Sequence, residues 1–415
     1  AGSLSTKPFY GHLDAMSNAE HQGRQLERFD RLSYGLQVVL CLLLWCFGVS
    51  AVPIYAKRIF DGSFGVKKFP YPCFAAFLQL GFASVLLGCL HLMQHLWISR
   101  GKALQSQSWL FGPYFGFKLK HVAPAGVAFG CRYVTANLGL SLADNSTHVL
   151  LGATELVWVL LLAVLINKER PGVLEVLACI VSLVGNVIVA TSAVNLHQMD
   201  TPFWGLFFNL LAPFVGALCI STLRTGVAGL FDPTNCLSGT TSKIEFTSLK
   251  LGCASLTSLL AAMLLENGLW SFHGTAISWW RALASYPHLG VILILASGIL
   301  TSVLHVSMAW LAWLTSALAM GLLVEIKVLP QWILNYFFGL HHHQLSSSYL
   351  LGASLGIFGA LLYACASWVT QRYGKVSLTF TGFKLQAAQN SLMTDDSSSE
   401  QSSAEMSTAS TSQRR

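Results

Sequence analysis

One lysine, Lys327, interrupts a long apolar run near the C-terminal end of the sequence. The run extends from Ala317 to Phe338, so this lysine would lie at the depth of lipid if the run crossed a membrane. An ammonium at that depth costs roughly 2.5–3.5 kcal/mol even on the mildest insertion scale, and such a charge usually has a partner, a cavity or a ligand. The residue type and its setting therefore indicate binding of an anion.

Further polar side chains lie at a similar depth in other apolar runs. Tyr133 and Asn137 are four residues apart, which places them on one face of a helix. Arg132, Glu155 and Lys327 belong to three different runs and can form only one ion pair. One cation then remains for a ligand, and we expect the remaining candidates to line the same site: His148, His305 and, at the mouth, Lys57.

Alternative explanations exist for several of these residues. His148 also fits a hydrogen-bonded packing residue, and Lys57 also fits an exposed lysine that extends toward the interface. Small and polar residues recur at helical spacing toward His305, and packing or cavity lining explains them equally well. These residues are Ser297, Gly298, Thr301 and Ser302.

Composition defines the class of protein. Hydrophobic residues make up 53% of the 415 residues and charged residues only 10%, a balance too apolar for a soluble chain of this length. Ten runs are long enough to cross a hydrocarbon core of about 30 Å. The predicted spans are 33–54, 72–98, 120–142, 147–167, 172–193, 203–230, 247–266, 287–311, 313–338 and 347–371.

The loop charges predict the orientation and the domain organisation. With the N-terminus in the cytosol, the cytosolic segments near the membrane hold fourteen Lys and Arg residues, Lys118 and Lys250 among them, against five on the other side. Residues 1–32 then form a cytosolic tail, 33–371 the ten-span domain, and 372–415 a Ser-rich cytosolic tail that we expect to be disordered. Both termini are predicted to be cytosolic.

Other functions have little support in the sequence. We find no metalloprotease motif, nucleophile elbow or paired catalytic carboxylates, so we expect no enzyme and no catalytic residue. The cysteines form no C-x-x-C pair, and His341 to His343 read as a polar turn, so no metal and no cofactor is predicted. The net charge of +7 reflects the loop bias and does not indicate nucleic acid.

The chain resembles the triose-phosphate and nucleotide-sugar transporter branch of the drug/metabolite transporter superfamily. Six short segments carry the resemblance in the family's order: Tyr55-Ala56-Lys57, Phe69 to Phe74 (FPYPCF), Ser146 to Val149 (STHV), Leu264-Leu265-Glu266, Thr315 to Leu318 (TSAL) and Ile326-Lys327. The resemblance implies an all-α membrane protein of ten transmembrane helices in two inverted five-helix repeats. It also implies that Lys327 contacts the phosphoryl oxygens of the substrate.

The sequence departs from the family's pattern at several binding positions. A second family lysine would fall at Leu151 or Gly152, and the arginine that follows the span-nine lysine is Val328. The asparagines of spans one and eight correspond to Ala56 and His305. These changes argue against a triose-phosphate/phosphate exchanger and favour a diphosphate-linked sugar.

The resulting expectation is an antiporter in the Golgi or endoplasmic reticulum membrane that exchanges nucleotide sugars for a nucleotide monophosphate. Two alternatives remain: a plastid-envelope exchanger of sugar phosphates for phosphate, and a transporter-like regulator that no longer transports. The expected partners are those solutes and the lipid bilayer, and a homodimer is left open. For the regulator, Lys327→Ala would leave function intact.

Overall fold

Helices joined by short turns make up the described part of the chain. The computed structural model describes residues 35–56, 58, 59, 62, 65, 69, 71–98, 111, 112, 114–142, 151, 152, 154–193, 203–232, 241–266, 279–326 and 347–373, and no strand occurs among them. The predicted all-α class is confirmed. We number the helices α1 Gly35–Ala56, α2 Pro72–Ile98, α3 Phe115–Leu142, α4 Glu155–Leu165, α5 Val173–Ala193, α6 Phe203–Leu230, α7 Lys243–Ala261, α8 Trp279–Ser285, α9 His288–Leu314, α10 Ala317–Ile326 and α11 Ser347–Tyr373.

Six of these helices are long and apolar enough to cross a membrane by length and composition. They are α1, α2, α6, α7 with its π-helical end Ala262–Glu266, α9 and α11. At 1.5 Å per residue, about 20 residues cross the hydrocarbon core, and helices satisfy their own backbone groups there. The protein is therefore a multi-pass membrane protein.

Helix bounds agree with the predicted spans at some ends and differ at others. α2 and α6 coincide with the predicted 72–98 and 203–230. α3 begins five residues before its predicted start, and α7 begins four residues early because Ser242 caps it. The Ser242 hydroxyl accepts a hydrogen bond from the Glu245 backbone N–H at 3.0 Å. The seven-residue α8 was not predicted.

Two lysines that the charge count placed in flanking segments lie inside helices, which corrects the prediction. Lys118 in α3 is buried and paired with Glu245, whose carboxylate also lies 3.8 Å from Nε2 of His91. Lys250 lies in α7 and is completely buried. Lys118 was misplaced because its predicted span began two residues after it, and Lys250 because it lay near the start of the predicted span 247–266 and was counted with the flanking charges.

Small residues bring several helices into close contact. A Cβ on Gly185 of α5 would lie 2.4 Å from the backbone nitrogen of Gly356 in α11, and one on Gly359 would lie 2.6 Å from that of Ser182. The same principle joins α3 to α7, where a Cβ on Gly126 would lie 2.7 Å from the carbonyl oxygen of Lys250. Side chains at these glycines would separate the backbones. Close packing of α3 on α7 places Lys250 beside the middle of α3.

Two carboxylates cap the starts of helices that are distant in sequence. Glu266 at the end of α7 accepts N–H groups from α2, and Glu169 after α4 accepts N–H groups from α10. Such caps satisfy backbone donors that have no partner within the helix. The donor–acceptor distances are 2.6 Å from Cys73 and 3.1 Å from Phe74 to Glu266, and 2.8 Å from Ala317 and 3.3 Å from Leu318 to Glu169.

The two caps lie at opposite ends of the helix assembly. Ser242, before the start of α7, contacts His91 near the end of α2, whereas Glu266 at the end of α7 contacts the start of α2. The Lys243 ammonium at the start of α7 lies 3.9 Å from the centroid of the Trp313 ring at the end of α9, which is next to the start of α10, so the Glu169 cap is on the Ser242 side. We call the two ends the Glu266 face and the Glu169 face.

Candidate functional site

An ion pair between Arg132 and Glu155 joins α3 to α4. The guanidinium NH1 lies 3.0 Å from Oε1 and NH2 lies 3.3 Å from Oε2, so two nitrogens face two oxygens. The Glu155 side chain is 8% exposed and the Arg132 side chain 25% exposed. Only one ion pair was possible among the three charges predicted at membrane depth, and Arg132 and Glu155 form one.

Gly216 of α6 provides the space for this pair. A Cβ at this position would lie 2.5 Å from Oε1 of Glu155 and 3.2 Å from Cζ of Arg132. NH1 of Arg132 also donates to the Gly216 carbonyl at 3.5 Å. The pair therefore sits where three helices meet, against a backbone that has no side chain in the way.

A second polar contact connects α3, α7 and α9. The Tyr133 hydroxyl lies 3.1 Å from Nε2 of His305, and the Lys250 ammonium lies 3.1 Å from Nδ1 of the same ring. An ammonium can only donate, so Nδ1 accepts and Nε2 carries the proton that reaches the tyrosine oxygen. His305 is then the neutral tautomer, held at both ring nitrogens.

Lys250 is a completely buried lysine with no carboxylate partner among the described residues. Its nitrogen also lies 4.4 Å from the centroid of the Phe129 ring, and the Phe129 ring meets the His305 ring edge-on at 4.9 Å. Within the described residues, His305 supplies one acceptor for the three N–H donors of the ammonium. By contrast, Lys118 is buried with a carboxylate partner in Glu245. Burial of an uncompensated charge is costly, and an anionic ligand offsets that cost.

The ion pair and the histidine contact belong to one site. Arg132 and Tyr133 are consecutive in α3, so the ion pair and the histidine contact adjoin on that helix. We call Arg132, Tyr133, Glu155, Lys250 and His305 the buried cluster. Counting ionised groups with a neutral His305, its five side chains carry two positive charges and one negative charge.

The structure brings together four of the residues that the sequence singled out and leaves one apart. Arg132, Tyr133, Glu155 and His305 all lie in the buried cluster. Asn137 instead donates to the Pro72 carbonyl at 3.2 Å, where it joins α3 to the start of α2. The expected site residues His148, Lys327 and Lys57 lie outside the described residues.

Sequence reasoning missed Lys250, although a usable signal was present. Ser242-Lys243-Ile244-Glu245 is a capping-box sequence, and a helix that starts there carries Lys250 two turns inside. The residues at helical spacing before His305 divide between packing and the buried cluster, because the Thr301 side chain also hydrogen-bonds to Tyr133. The Thr301 and Ser302 hydroxyls donate to carbonyls of their own helix, and Gly298 packs on Phe82 and Gln79.

Comparisons with known proteins identify a fold and no family. No family model matches the chain, and no curated protein matches it. A solved structure described only as "Crystal structure of protein" is 15% identical and covers 82% of this chain and 98% of its own, with a TM-score of 0.51. At this identity the likeness shows the fold alone.

Proposed function

We propose that the protein is an antiporter of phosphorylated sugars that exchanges nucleotide sugars for a nucleotide monophosphate. The observation that carries this proposal is Lys250, a completely buried lysine beside a histidine, with no carboxylate partner among the described residues. A charge kept in that position is best explained by an anionic ligand. Lysine suits phosphate because its donors rotate around a compact charge.

The other members of the buried cluster fit a phosphorylated ligand. The Arg132 guanidinium presents two nitrogens in the geometry that phosphate and carboxylate oxygens accept. Tyr133 adds a hydroxyl group for sugar or phosphate oxygens. We assign Lys327 the phosphate contact that the sequence resemblance implies, and His148 and Lys57 remain proposed contacts on the same basis. The family's other two cations would fall at Leu151 or Gly152 and at Val328, where this sequence has none. Lys250 then supplies a cation in their place.

The proposed architecture is ten spans in two inverted repeats of five helices, with the substrate between them. The helix contacts support it. In two inverted repeats of five spans, α2 corresponds to α7 and α3 corresponds to α9. The contact between α3 and α7 then corresponds to the contact between α9 and α2, and both contacts are present. The Glu266 contact from the end of α7 to the start of α2 likewise corresponds to the His91 contact from late α2 to the N-cap of α7.

Exchange, rather than one-way transport, follows from the charge. Moving an empty site that holds an uncompensated Lys250 costs more than moving one that holds an anion. Return is therefore easier with a second phosphate compound bound. We place the protein in the Golgi or endoplasmic reticulum membrane with cytosolic termini, because nucleotide-sugar exchange is needed there.

Reconstitution tests the proposal. Purified protein in liposomes preloaded with nucleotide monophosphates or inorganic phosphate should take up labelled nucleotide sugars or sugar phosphates. Lys250→Ala and Lys327→Ala should reduce exchange, while Lys120→Ala, an exposed position of α3, should match the wild type. Absence of exchange with every solute, in protein shown to be folded, would contradict the transporter function.

A further inference from the structure

We propose that Glu155 is an internal counter-anion that competes with the substrate for Arg132. The idea rests on the proposed function, because it needs an anionic substrate. When the site is empty, the carboxylate neutralises the guanidinium. When substrate arrives, its phosphoryl oxygens take the two guanidinium nitrogens and the Glu155 carboxylate moves away.

The geometry of the pair makes Glu155 a substitute for the ligand. Its two oxygens lie 3.0 and 3.3 Å from NH1 and NH2 of Arg132, so the carboxylate occupies the place where phosphoryl oxygens would reach the guanidinium. A permanent structural pair would be expected to shield both partners. Here the Arg132 side chain is 25% exposed and the Glu155 side chain 8%, so the arginine is the less covered of the two side chains.

The pair is also incompletely bonded on the carboxylate side. Oε1 lies near NH1, but its orientation does not satisfy a hydrogen bond, and no other described group donates to it. Oε2 accepts one bond, from NH2. An incompletely bonded buried carboxylate is easier to displace than one whose oxygens are fully satisfied.

The position of Glu155 in its helix also tolerates the displaced charge. Glu155 is the first residue of α4, where a negative charge is stabilised by the helix dipole. Thr154, the residue before it, offers no side-chain cap, since its hydroxyl donates to the Leu151 carbonyl at 2.8 Å. The carboxylate therefore stays in a favourable field when it leaves Arg132.

Competition of this kind sets the affinity of the site. Substrate pays for displacing Glu155 each time it binds, so it also leaves more readily than from an isolated Arg132. Glu155 does not contact Lys250. The charge of Lys250 therefore still makes return of the empty site less favourable than return with an anion bound. Glu155 is thus a positioning residue that acts through Arg132.

Anion binding to purified, full-length protein tests this role. Thermal-shift titrations with inorganic phosphate and with uridine, guanosine, cytidine and adenosine monophosphates give an apparent dissociation constant for each. Glu155→Gln keeps the shape and removes the charge, and we expect tighter binding by about tenfold, the scale of one charge-assisted hydrogen bond. Glu175→Gln, a first-turn carboxylate of α5 that accepts from Gly172, is the matched control and should not change binding.

A second variant covers the case in which Glu155→Gln does not fold. Gly216→Ala would place a methyl group 2.5 Å from Oε1 of Glu155 and 3.2 Å from Cζ of Arg132, so the closer carboxylate must move further than the guanidinium and binding should again tighten, by a smaller factor. If the wild type binds but neither folded variant binds more tightly, Glu155 does not compete and the inference is overturned while the transporter survives. If no folded protein binds any of these anions, both proposals are overturned.

Discussion

The ammonium of Lys250 and Nδ1 of His305 lie 3.1 Å apart, although 55 residues separate them in the chain. The contact joins α7 to α9, and Tyr133 extends it to α3 through the other ring nitrogen. Because a neutral imidazole cannot neutralise an ammonium, the contact orients the lysine without compensating its charge. Lys250 is thereby held ready for an anion.

Lys250→Met should make the protein more stable and less active. Methionine fills a similar volume without a buried charge, so the cost of burying that charge disappears. We expect a higher melting temperature together with loss of exchange in liposomes. Lys118→Met is the comparison, because it leaves the buried Glu245 carboxylate without its lysine and should lower the melting temperature. If Lys250→Met lowered the melting temperature as much as Lys118→Met does, Lys250 would have a structural partner.

His305→Gln should retain more exchange than His305→Leu. Glutamine can accept from Lys250 with its oxygen and donate to Tyr133 with its nitrogen, as the neutral histidine does. Leucine can do neither, and it leaves a tyrosine hydroxyl and an ammonium without this partner, at a cost of about 1–3 kcal/mol per group. Exchange rates in liposomes, normalised to folded protein, measure the difference. Equal rates for the two variants would exclude a role for the hydrogen bonds of His305.

Glu266→Gln should loosen the Glu266 face. The charged cap on the first N–H groups of α2 becomes a neutral one, which weakens it. Cys73, whose N–H donates to this cap, is completely buried and should become more reactive toward a maleimide, as measured by peptide mass spectrometry. Glu169→Gln removes the corresponding charge at the opposite face and serves as the control. A similar increase at Cys73 in both variants would indicate general loosening.

Gly185→Val should separate α5 from α11 and destabilise the protein by about 1–3 kcal/mol or more, the range for overpacking. The first added atom would lie 2.4 Å from a backbone atom of α11, and neither helix backbone can shift without losing packing contacts. Gly116→Val in α3 is the control, since no described atom lies within 4 Å of its Cβ position. Thermal unfolding in the same detergent compares the two. Equal melting temperatures would contradict close packing at Gly185.

Hydropathy predicted most of the helices, because crossing a membrane requires long apolar runs. It predicted α6 to the residue, and Pro72, which suits a first helical position, marks the start of α2. It could not place Lys250, because a lysine near the end of an apolar run fits an interfacial charge as well as a buried one. α8 was missed because seven residues are too few for a periodic signal.

The candidate site was predicted as residues but not as contacts. Arg132, Glu155, Tyr133 and His305 were chosen because polar groups are costly in lipid, which is a local property of the sequence. The contact between Tyr133 and His305 spans 172 positions and depends on how α3 packs against α9. No pattern within a single sequence reports that packing.

Direct binding tests the central claim that Lys250 holds an anionic substrate. The measurement is the dissociation constant of the nucleoside monophosphate that gives the largest thermal shift, determined by isothermal titration with wild-type protein, Lys250→Ala and Lys120→Ala. The claim predicts that Lys250→Ala weakens binding by about tenfold or more, the value of a charged hydrogen bond, while Lys120→Ala binds like the wild type. Equal dissociation constants for the wild type and a folded Lys250→Ala would contradict it.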